Sequence, residues 1–182
     1  MRWISIDPAD KTGLVIWDKA VAVAFATLRP AGKREALAAK VDPARALALD
    51  VCFAQSAHIL PVAGFGSPMQ AWGYLVGRVD LVVVEESFGD SPKTIAQMGE
   101  RRGYIESMCD ERGVQFRTVN TSEWRKVCGD RLDKSWPAAS KAAKQRSIDL
   151  VAEHCDGLVV TGDEGDAYWV GRAAMWLGLV KL

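Results

Sequence analysis

The chain has 182 residues, a length that predicts one domain around a buried central sheet and argues against two-domain kinases and dehydrogenases. Apolar residues make up 49% of the chain and charged residues 25%, as in soluble globular proteins, which excludes disorder and fibrous repeats. An acidic residue occurs as early as Asp7, and no apolar run approaches the roughly 18 residues of a membrane span. We therefore expect a cytoplasmic protein without a signal peptide.

The net charge is zero, but the basic and acidic residues are unevenly distributed along the chain. Residues 91 to 146 carry 12 basic and 7 acidic side chains, whereas residues 147 to 182 carry 2 and 6. A basic middle is compatible with nucleic-acid binding, but it is equally typical of solvated helix faces of mixed sign. Charge alone does not choose between these interpretations.

The cysteines and histidines do not have the spacing of a zinc site. There is no Cys-x-x-Cys pair, and the few candidate ligands lie far apart in the sequence. We interpret the cysteines as reduced thiols of the core. The residues concerned are Cys52, Cys109, Cys128, Cys155, His58 and His154.

The beginning of the chain predicts an antiparallel meander of three strands. From Arg2 to Asp7, the two isoleucines alternate with Trp, Ser and Asp, which is the period-two pattern of a strand. The segment ends in a carboxylate. A turn follows, and Leu14 to Trp17 and Val21 to Leu28 are predicted as the next two strands. The stretch from about 30 to 66 is unusual, with a helix predicted from Pro43 to about Leu60. Its role is open, since it could be a partner-binding insertion or extra core.

The rest of the chain alternates between strands and helices. The continuous apolar run from Leu81 to Glu85 is typical of a strand that is buried on both faces. The other predicted elements are a loop at 61 to 68, a short helix at 69 to 77, a helix at 92 to 111, a strand at 114 to 119, a helix from Asn120, a loop at 125 to 140, and helices at 141 to 154 and 163 to 177. This order predicts a single α/β domain over residues 1 to 182, with a mixed five-stranded sheet flanked by helices.

Four carboxylates stand at ends of elements that such a sheet would bring together. They are Asp7, Glu85, Asp163 and Asp166. Taken singly, a carboxylate at a strand end is usually a capping or solvent-directed residue. A cluster of them becomes favourable when a hard divalent cation such as Mg²⁺ or Mn²⁺ neutralises it. The group therefore predicts a metal site.

Three segments, in order, resemble the RuvC family of Holliday junction resolvases. ISIDP at 4 to 8, with Thr12-Gly13, resembles the opening motif, and VVVEESF at 82 to 88 resembles the second acidic strand. DEGDA at 163 to 167 resembles the closing Asp-x-x-Asp-Ala. The likeness covers nearly the whole chain except the stretch at about 30 to 66.

The resemblance implies an RNase H-like fold, with three antiparallel strands followed by parallel additions, and a homodimer that nicks four-way DNA junctions. It assigns catalysis and metal binding to the four carboxylates, with two Mg²⁺ per active site and Mn²⁺ as a substitute. It also implies a bacterial cell or a phage-infected host cell. Two departures stand out: Ala9 replaces the usual glycine after Asp-Pro, and Glu86 and Glu164 are alternative ligands.

The resemblance also suggests DNA contacts. Phe88 corresponds to an aromatic residue near the junction crossover and could stack on a base, although it could equally be a core residue. In the region where the family has lysines that reach phosphates, this chain has Arg125, Lys126, Lys141, Lys144 and Arg146. Each of these could instead be a solvated side chain. Trp124 and Trp136 could stack on bases, but tryptophans in such a chain mostly indicate core.

The predicted helix at 92 to 111 carries a strip of small residues. Ala96, Gly99 and Gly103 recur at spacings of three and four, so a partner helix could approach closely there. The family dimerises through the corresponding helix, which favours a dimer interface over packing on the chain's own sheet.

Two other functions remain open. One is an RNA-processing nuclease of the related YqgF type, which shares the first acidic motif. The other is a junction-binding module that keeps the fold without catalysis, although four intact carboxylates argue against it. The actin and sugar-kinase group also opens with an Asp hairpin, but it needs two such domains.

Overall fold

The computed structural model describes residues 1–9, 12–30, 39–40, 76–86, 91–138 and 140–182. Its strands are β1 (Arg2–Asp7), β2 (Thr12–Asp18), β3 (Val21–Pro30), β4 (Ala39–Lys40), β5 (Leu81–Glu86) and β6 (Gln115–Asn120). Its helices include α1 (Pro92–Arg112), α2 (Thr121–Arg131), α3 (Ser140–His154) and α4 (Gly162–Trp176). No described helix is both long enough and apolar enough to cross a membrane. The predicted helix at 43 to 60, the loop at 61 to 68 and most of the helix at 69 to 77 lie outside the described residues.

The strands form one mixed sheet in the order β4-β3-β2-β1-β5-β6. β1, β2 and β3 are antiparallel neighbours, whereas β5 lies parallel to β1 and β6 lies parallel to β5. The predicted mixed sheet of five strands is therefore confirmed. The two-residue strand β4 extends it at the edge of β3.

One face of β1 is directed towards the main core. Because side chains alternate along a strand, Trp3, Ser5 and Asp7 share this face. Trp3 stacks on Trp17 of β2 with ring centroids 5.0 Å apart, and both belong to a core that includes α4. Asp7 therefore lies on the face of the sheet that α4 covers.

Helix α4 packs closely against its neighbours because glycines remove side chains at the contacts. A Cβ added at Gly171 would lie 2.4 Å from the Trp17 ring, and one at Gly165 would lie 2.8 Å from the Ser147 hydroxyl of α3. Trp169 of α4 is fully buried, and its indole donates to the Ser147 carbonyl at 3.1 Å. This packing fixes the position of α4 relative to the sheet.

The predicted loop at 125 to 140 is wrong in its first part, because α2 continues to Arg131. The Asn120 side chain accepts a hydrogen bond from the first turn and caps the helix. Trp124 and Cys128, one turn apart, are both fully buried. A narrow apolar face is therefore enough to form this helix, although most of its residues are polar.

The cysteines that the structure describes have the properties of core thiols. Burial raises the pKa of Cys109 to about 11 and that of Cys128 to about 12. Since the thiolate is the reactive and metal-binding form, neither side chain is suited to that chemistry. Cys155 is a free, partly buried thiol. Cys52 and His58 lie outside the described residues.

Candidate active site

Two of the predicted carboxylates lie at the ends of neighbouring parallel strands. Ile6 of β1 pairs with Val84 of β5, and the next residue in each strand is the carboxylate, Asp7 or Glu85. Asp7 is 4% exposed and Glu85 is 6% exposed. Adjacent strands are only about 4.8 Å apart, so two buried acidic groups lie side by side. Such a pair is costly unless a cation or a proton reduces its charge.

The beginning of α4 brings Asp163 and Asp166 to the same place. The hydroxyl of Ser5 in β1 donates to the carbonyl of Ala167 at 2.6 Å and so ties α4 to the sheet beside Asp166. Gly13 of β2 lies against the backbone of Asp163, and a Cβ there would be 1.9 Å from the Asp163 carbonyl oxygen. The close approach therefore requires glycine at this position.

Glu164 has a structural role within the same turn. Its Oε2 accepts from the backbone N–H of Thr161 at 2.8 Å, and the Thr161 hydroxyl accepts from the Glu164 N–H, which completes a capping box. The other oxygen, Oε1, accepts from the hydroxyl of Thr27 in β3 at 2.9 Å. Both oxygens are thus engaged in holding the start of α4 on the sheet.

Two carboxylates of the cluster, Asp7 and Asp166, have raised pKa values. Burial raises the pKa of Asp7 well above its usual value, and the charges of Glu85 and Asp166 raise it further. Burial also raises the pKa of Asp166 to about 6, although the Lys144 ammonium opposes the change. The site therefore holds an excess of negative charge, which a bound cation would relieve.

Lys144 of α3 contacts the acidic cluster, although 43% of its side chain is exposed. Its ammonium bonds to Asp163 Oδ1 and lies 3.6 Å from Asp166 Oδ2. Burial opposes the charged form, but the hydrogen bond to Asp163 and the charges of Asp166 and Asp7 outweigh it, so the pKa of Lys144 is raised. The aliphatic part of the side chain packs over Gly162, where a Cβ would be 3.1 Å from Cδ.

Helix α2 holds the carboxylate of Glu85. The Thr121 hydroxyl donates to Glu85 Oε1 at 2.7 Å, and the Trp124 indole N–H donates to the same oxygen at 2.8 Å. Sequence reasoning missed both donors. Because a helix is predicted directly after β6, and β6 lies beside β5, the sequence could have indicated that Thr121 lies near the end of β5. No sequence signal shows where the indole N–H of Trp124 points.

The contacts of Glu86 differ from those of Glu85. Its Oε1 accepts from Arg102 of α1 at 2.9 Å, and its side chain is 39% exposed. The neighbouring Arg101 donates to the Pro8 carbonyl at 3.2 Å. Helix α1 therefore contacts the residues that follow both strand carboxylates.

The four side chains suit a hard divalent cation because they are all carboxylates, of which Asp7, Glu85 and Asp166 are buried and Asp163 is partly buried. Within the described residues, however, no three Asp, Glu, His or Cys side chains converge as a ready-made metal site. The Lys144 ammonium occupies the place of a cation beside Asp163 and Asp166. The residues thus fit a metal chemically, and the cluster would have to close around it.

The predicted DNA-binding residues are divided between several surfaces. Arg125 is close enough to Asp166 to influence its pKa, and it lines a groove of 550 Å³ with Lys126 and Lys134. Lys141 is exposed and lies about 60° from Lys144 around α3, whereas Arg146 lies about 160° from Lys144. Arg146 is therefore not brought to the side of the helix that faces the carboxylates.

Two further predictions concern aromatic residues. Phe88 lies outside the described residues. Trp124 is fully buried, which excludes stacking on a base, and the partly buried Trp136 packs edge-on against it at 5.1 Å.

Sheet order and helix placement together define an RNase H-like fold. Among solved structures, the chain resembles Thermus thermophilus RuvC in complex with a Holliday junction substrate, with a TM-score of 0.55 and 15% identity over 98% of this chain and 94% of that one. A second structure of T. thermophilus RuvC gives a TM-score of 0.53 and 15% identity over 98% and 97% of the two chains. The predicted resemblance to RuvC is confirmed at the level of the fold. No family model and no curated protein matches the sequence.

Proposed function

We propose that this protein is a metal-dependent endonuclease that nicks four-way DNA junctions as a dimer. The proposal is carried by one observation: Asp7 and Glu85 end neighbouring strands of a RuvC-like sheet, and the start of α4, which carries Asp163 and Asp166, packs against the same edge. The raised pKa values of Asp7 and Asp166, to which the neighbouring charge of Glu85 contributes, support a site that is built for a cation.

In this mechanism the four carboxylates hold two Mg²⁺ ions, for which Mn²⁺ substitutes. When bound, such a pair supplies an activated water and neutralises the departing 3′ oxygen. Asp7 and Glu85 would provide ligands from the sheet, while Asp163 and Asp166 would provide ligands from the first two turns of α4.

Basic residues around the cluster would receive the phosphates of the DNA. Lys144 is the nearest to the carboxylates, and the groove of α2 is lined by three basic residues, Arg125, Lys126 and Lys134, against two acidic ones, Asp130 and Asp133. An ammonium and further cations near the site offset the repulsion between the acidic cluster and the DNA backbone.

The dimer would form through α1. A Cβ at Gly99 or Gly103 would meet no described atom within 4 Å, and Ile95 nearby is 49% exposed. The strip of small residues is thus open to a partner as far as the structure describes the chain. Two nicks on opposite strands of a two-fold junction need two active sites, which an isologous dimer supplies.

Incubation with a synthetic four-way junction, with Mg²⁺ or with a chelator, tests the proposed activity. We expect paired nicks only with the metal, and no cleavage of duplex DNA of the same sequence. Asp7→Asn should abolish cleavage and leave junction binding intact or tighter, since removing a negative charge reduces the repulsion of phosphate. Cleavage of structured RNA in preference to junction DNA would favour a YqgF-like function, and binding without cleavage would favour an inactive module.

Light scattering tests the dimer. We expect a mass of about twice the 19.8 kDa of one chain. Gly99→Glu should give a folded monomer, whereas a monomeric wild type, free and on junction DNA, would contradict paired cleavage.

A further inference from the structure

The two hydrogen bonds that Glu85 accepts from described residues fall on one oxygen. Thr121 Oγ1 and Trp124 Nε1 lie 2.7 and 2.8 Å from Oε1. A carboxylate oxygen offers two lone pairs, so these donors fill Oε1 and leave Oε2 as the oxygen for a further partner. With two donors from different directions, the plane of the carboxylate is also fixed.

The direction of the indole N–H is set by packing rather than by Glu85. Trp124 is fully buried, and its ring is held edge-on against Trp136 at 5.1 Å and 83°. The guanidinium of Arg125 lies over the same ring, 5.2 Å from its centroid. A ring that is fixed on several sides points its N–H at one place, and that place is Glu85 Oε1.

The Thr121 donor is fixed in a similar way. Thr121 is the first residue of α2, and the Asn120 side chain before it caps the helix by accepting from the Ser122 N–H at 2.9 Å. In the ladder between β5 and β6, Asn120 pairs with Glu86, so the cap lies beside the end of β5. The start of α2 is thus placed by the sheet.

We infer that Thr121 and Trp124 are positioning residues that orient Glu85 so that its Oε2 faces the other carboxylates and binds a divalent cation. The inference rests on the proposed metal site and adds that α2, which carries none of the four carboxylates, determines the affinity of that site. Substitution of residues that orient a metal ligand typically weakens metal binding about 10 to 100-fold.

The test measures Mn²⁺ binding by calorimetry in the absence of DNA, so it does not depend on cleavage. Trp124→Phe keeps an aromatic ring in the core and removes the N–H, and Thr121→Val keeps the branched shape and removes the hydroxyl. We expect each to weaken Mn²⁺ binding about tenfold. Thr121→Ser, which restores a hydroxyl, should bind Mn²⁺ almost as tightly as the wild type.

Trp3→Phe is the matched control. Trp3 is also fully buried, and its indole donates a single hydrogen bond, to the Lys19 carbonyl at 2.8 Å. This variant should lose stability to a similar extent as Trp124→Phe while keeping the Mn²⁺ affinity of the wild type.

The outcomes separate this inference from the proposed function. If the wild type, Trp124→Phe and Thr121→Val all bind Mn²⁺ equally well, the two donors only satisfy the hydrogen-bonding capacity of a buried carboxylate. The inference is then wrong, while the metal site stands. If Trp124→Phe does not fold, the comparison of Thr121→Val with Thr121→Ser decides alone. If the wild type does not bind Mn²⁺, both the metal site and the orientation of Glu85 towards a cation are refuted.

Discussion

Two adjacent glutamates at the end of β5 make different contacts and should respond differently to the same substitution. Glu85 is buried beside Asp7, whereas Glu86 is half exposed and paired with Arg102. We expect Glu85→Gln to abolish junction cleavage without loss of binding, because it removes a ligand charge. Glu86→Gln should cleave at nearly the wild-type rate, since surface ion pairs contribute only about 0 to 1 kcal/mol.

Single-turnover cleavage and gel-shift titrations of the two variants make this comparison. An inactive Glu86→Gln together with an active Glu85→Gln would show that Glu86, and not Glu85, is the metal-binding glutamate of β5.

The raised pKa of Asp166 predicts a specific dependence of stability on pH. Burial raises this pKa from 3.8 to about 6, so the folded state binds the proton more tightly than the unfolded state does. The stability gained from protonation is complete below about pH 4 and is lost as the pH rises through about 6. In metal-free buffer, Asp166→Asn should therefore raise the free energy of unfolding at pH 7.5 by up to about 3 kcal/mol.

Urea unfolding at pH 7.5 and at pH 4 measures this difference. At pH 4 the variant and the wild type should be nearly equal in stability. An effect that does not depend on pH would show that the gain has another origin than the charge.

At the scale of elements, the close contact between β2 and the start of α4 sets the distance between the strand and helix carboxylates. Gly13→Ala would place a Cβ 1.9 Å from the Asp163 carbonyl, and a backbone atom cannot move aside cheaply. We expect a loss of about 1 to 3 kcal/mol of stability and a weaker Mn²⁺ site.

Gln145→Ala is the control for this substitution. Gln145 is exposed on α3, and its amide donates only to Asp149 of the same helix, at 2.8 Å, among the described contacts, so alanine should change stability by no more than about 0.5 kcal/mol. Thermal unfolding and Mn²⁺ titration compare the two variants. Gly13→Ala with wild-type stability and Mn²⁺ affinity would contradict the role of this contact.

The elements that position Asp7 and Glu85 could be predicted from sequence because their signals are local. Period-two alternation marks β1, and the apolar run of β5 marks a strand covered on both faces. Helix α2 was predicted only in its first residues, because its buried face consists of few side chains. The place of Lys144 beside Asp163 could not be predicted, since it depends on how α3 packs against α4.

At the scale of the whole molecule, a protein of zero net charge binds DNA only if its cations are gathered on one side. Lys141 and Lys144 share one side of α3, and Arg146 lies on another. Lys141→Gln with Lys144→Gln should lower the salt dependence of junction binding by about one unit per lost phosphate contact. Arg146→Gln should change it less.

Titrations at several salt concentrations measure these slopes. An unchanged slope in the double variant would mean that the lysines form only a solvated helix face and an internal ion pair.

The position of Lys144 has a thermodynamic consequence for how metal and DNA bind. While its ammonium is bonded to Asp163 and lies 3.6 Å from Asp166, the two carboxylates offset its charge, so it attracts a phosphate less strongly. A divalent ion that takes its place releases a positive charge next to the bound strand, so metal and DNA should bind cooperatively. Linkage requires the effect to be reciprocal, and an uncleavable junction should therefore tighten Mn²⁺ binding by the same factor by which Mn²⁺ tightens junction binding. In Lys144→Gln, where no charge is released, that factor should be smaller.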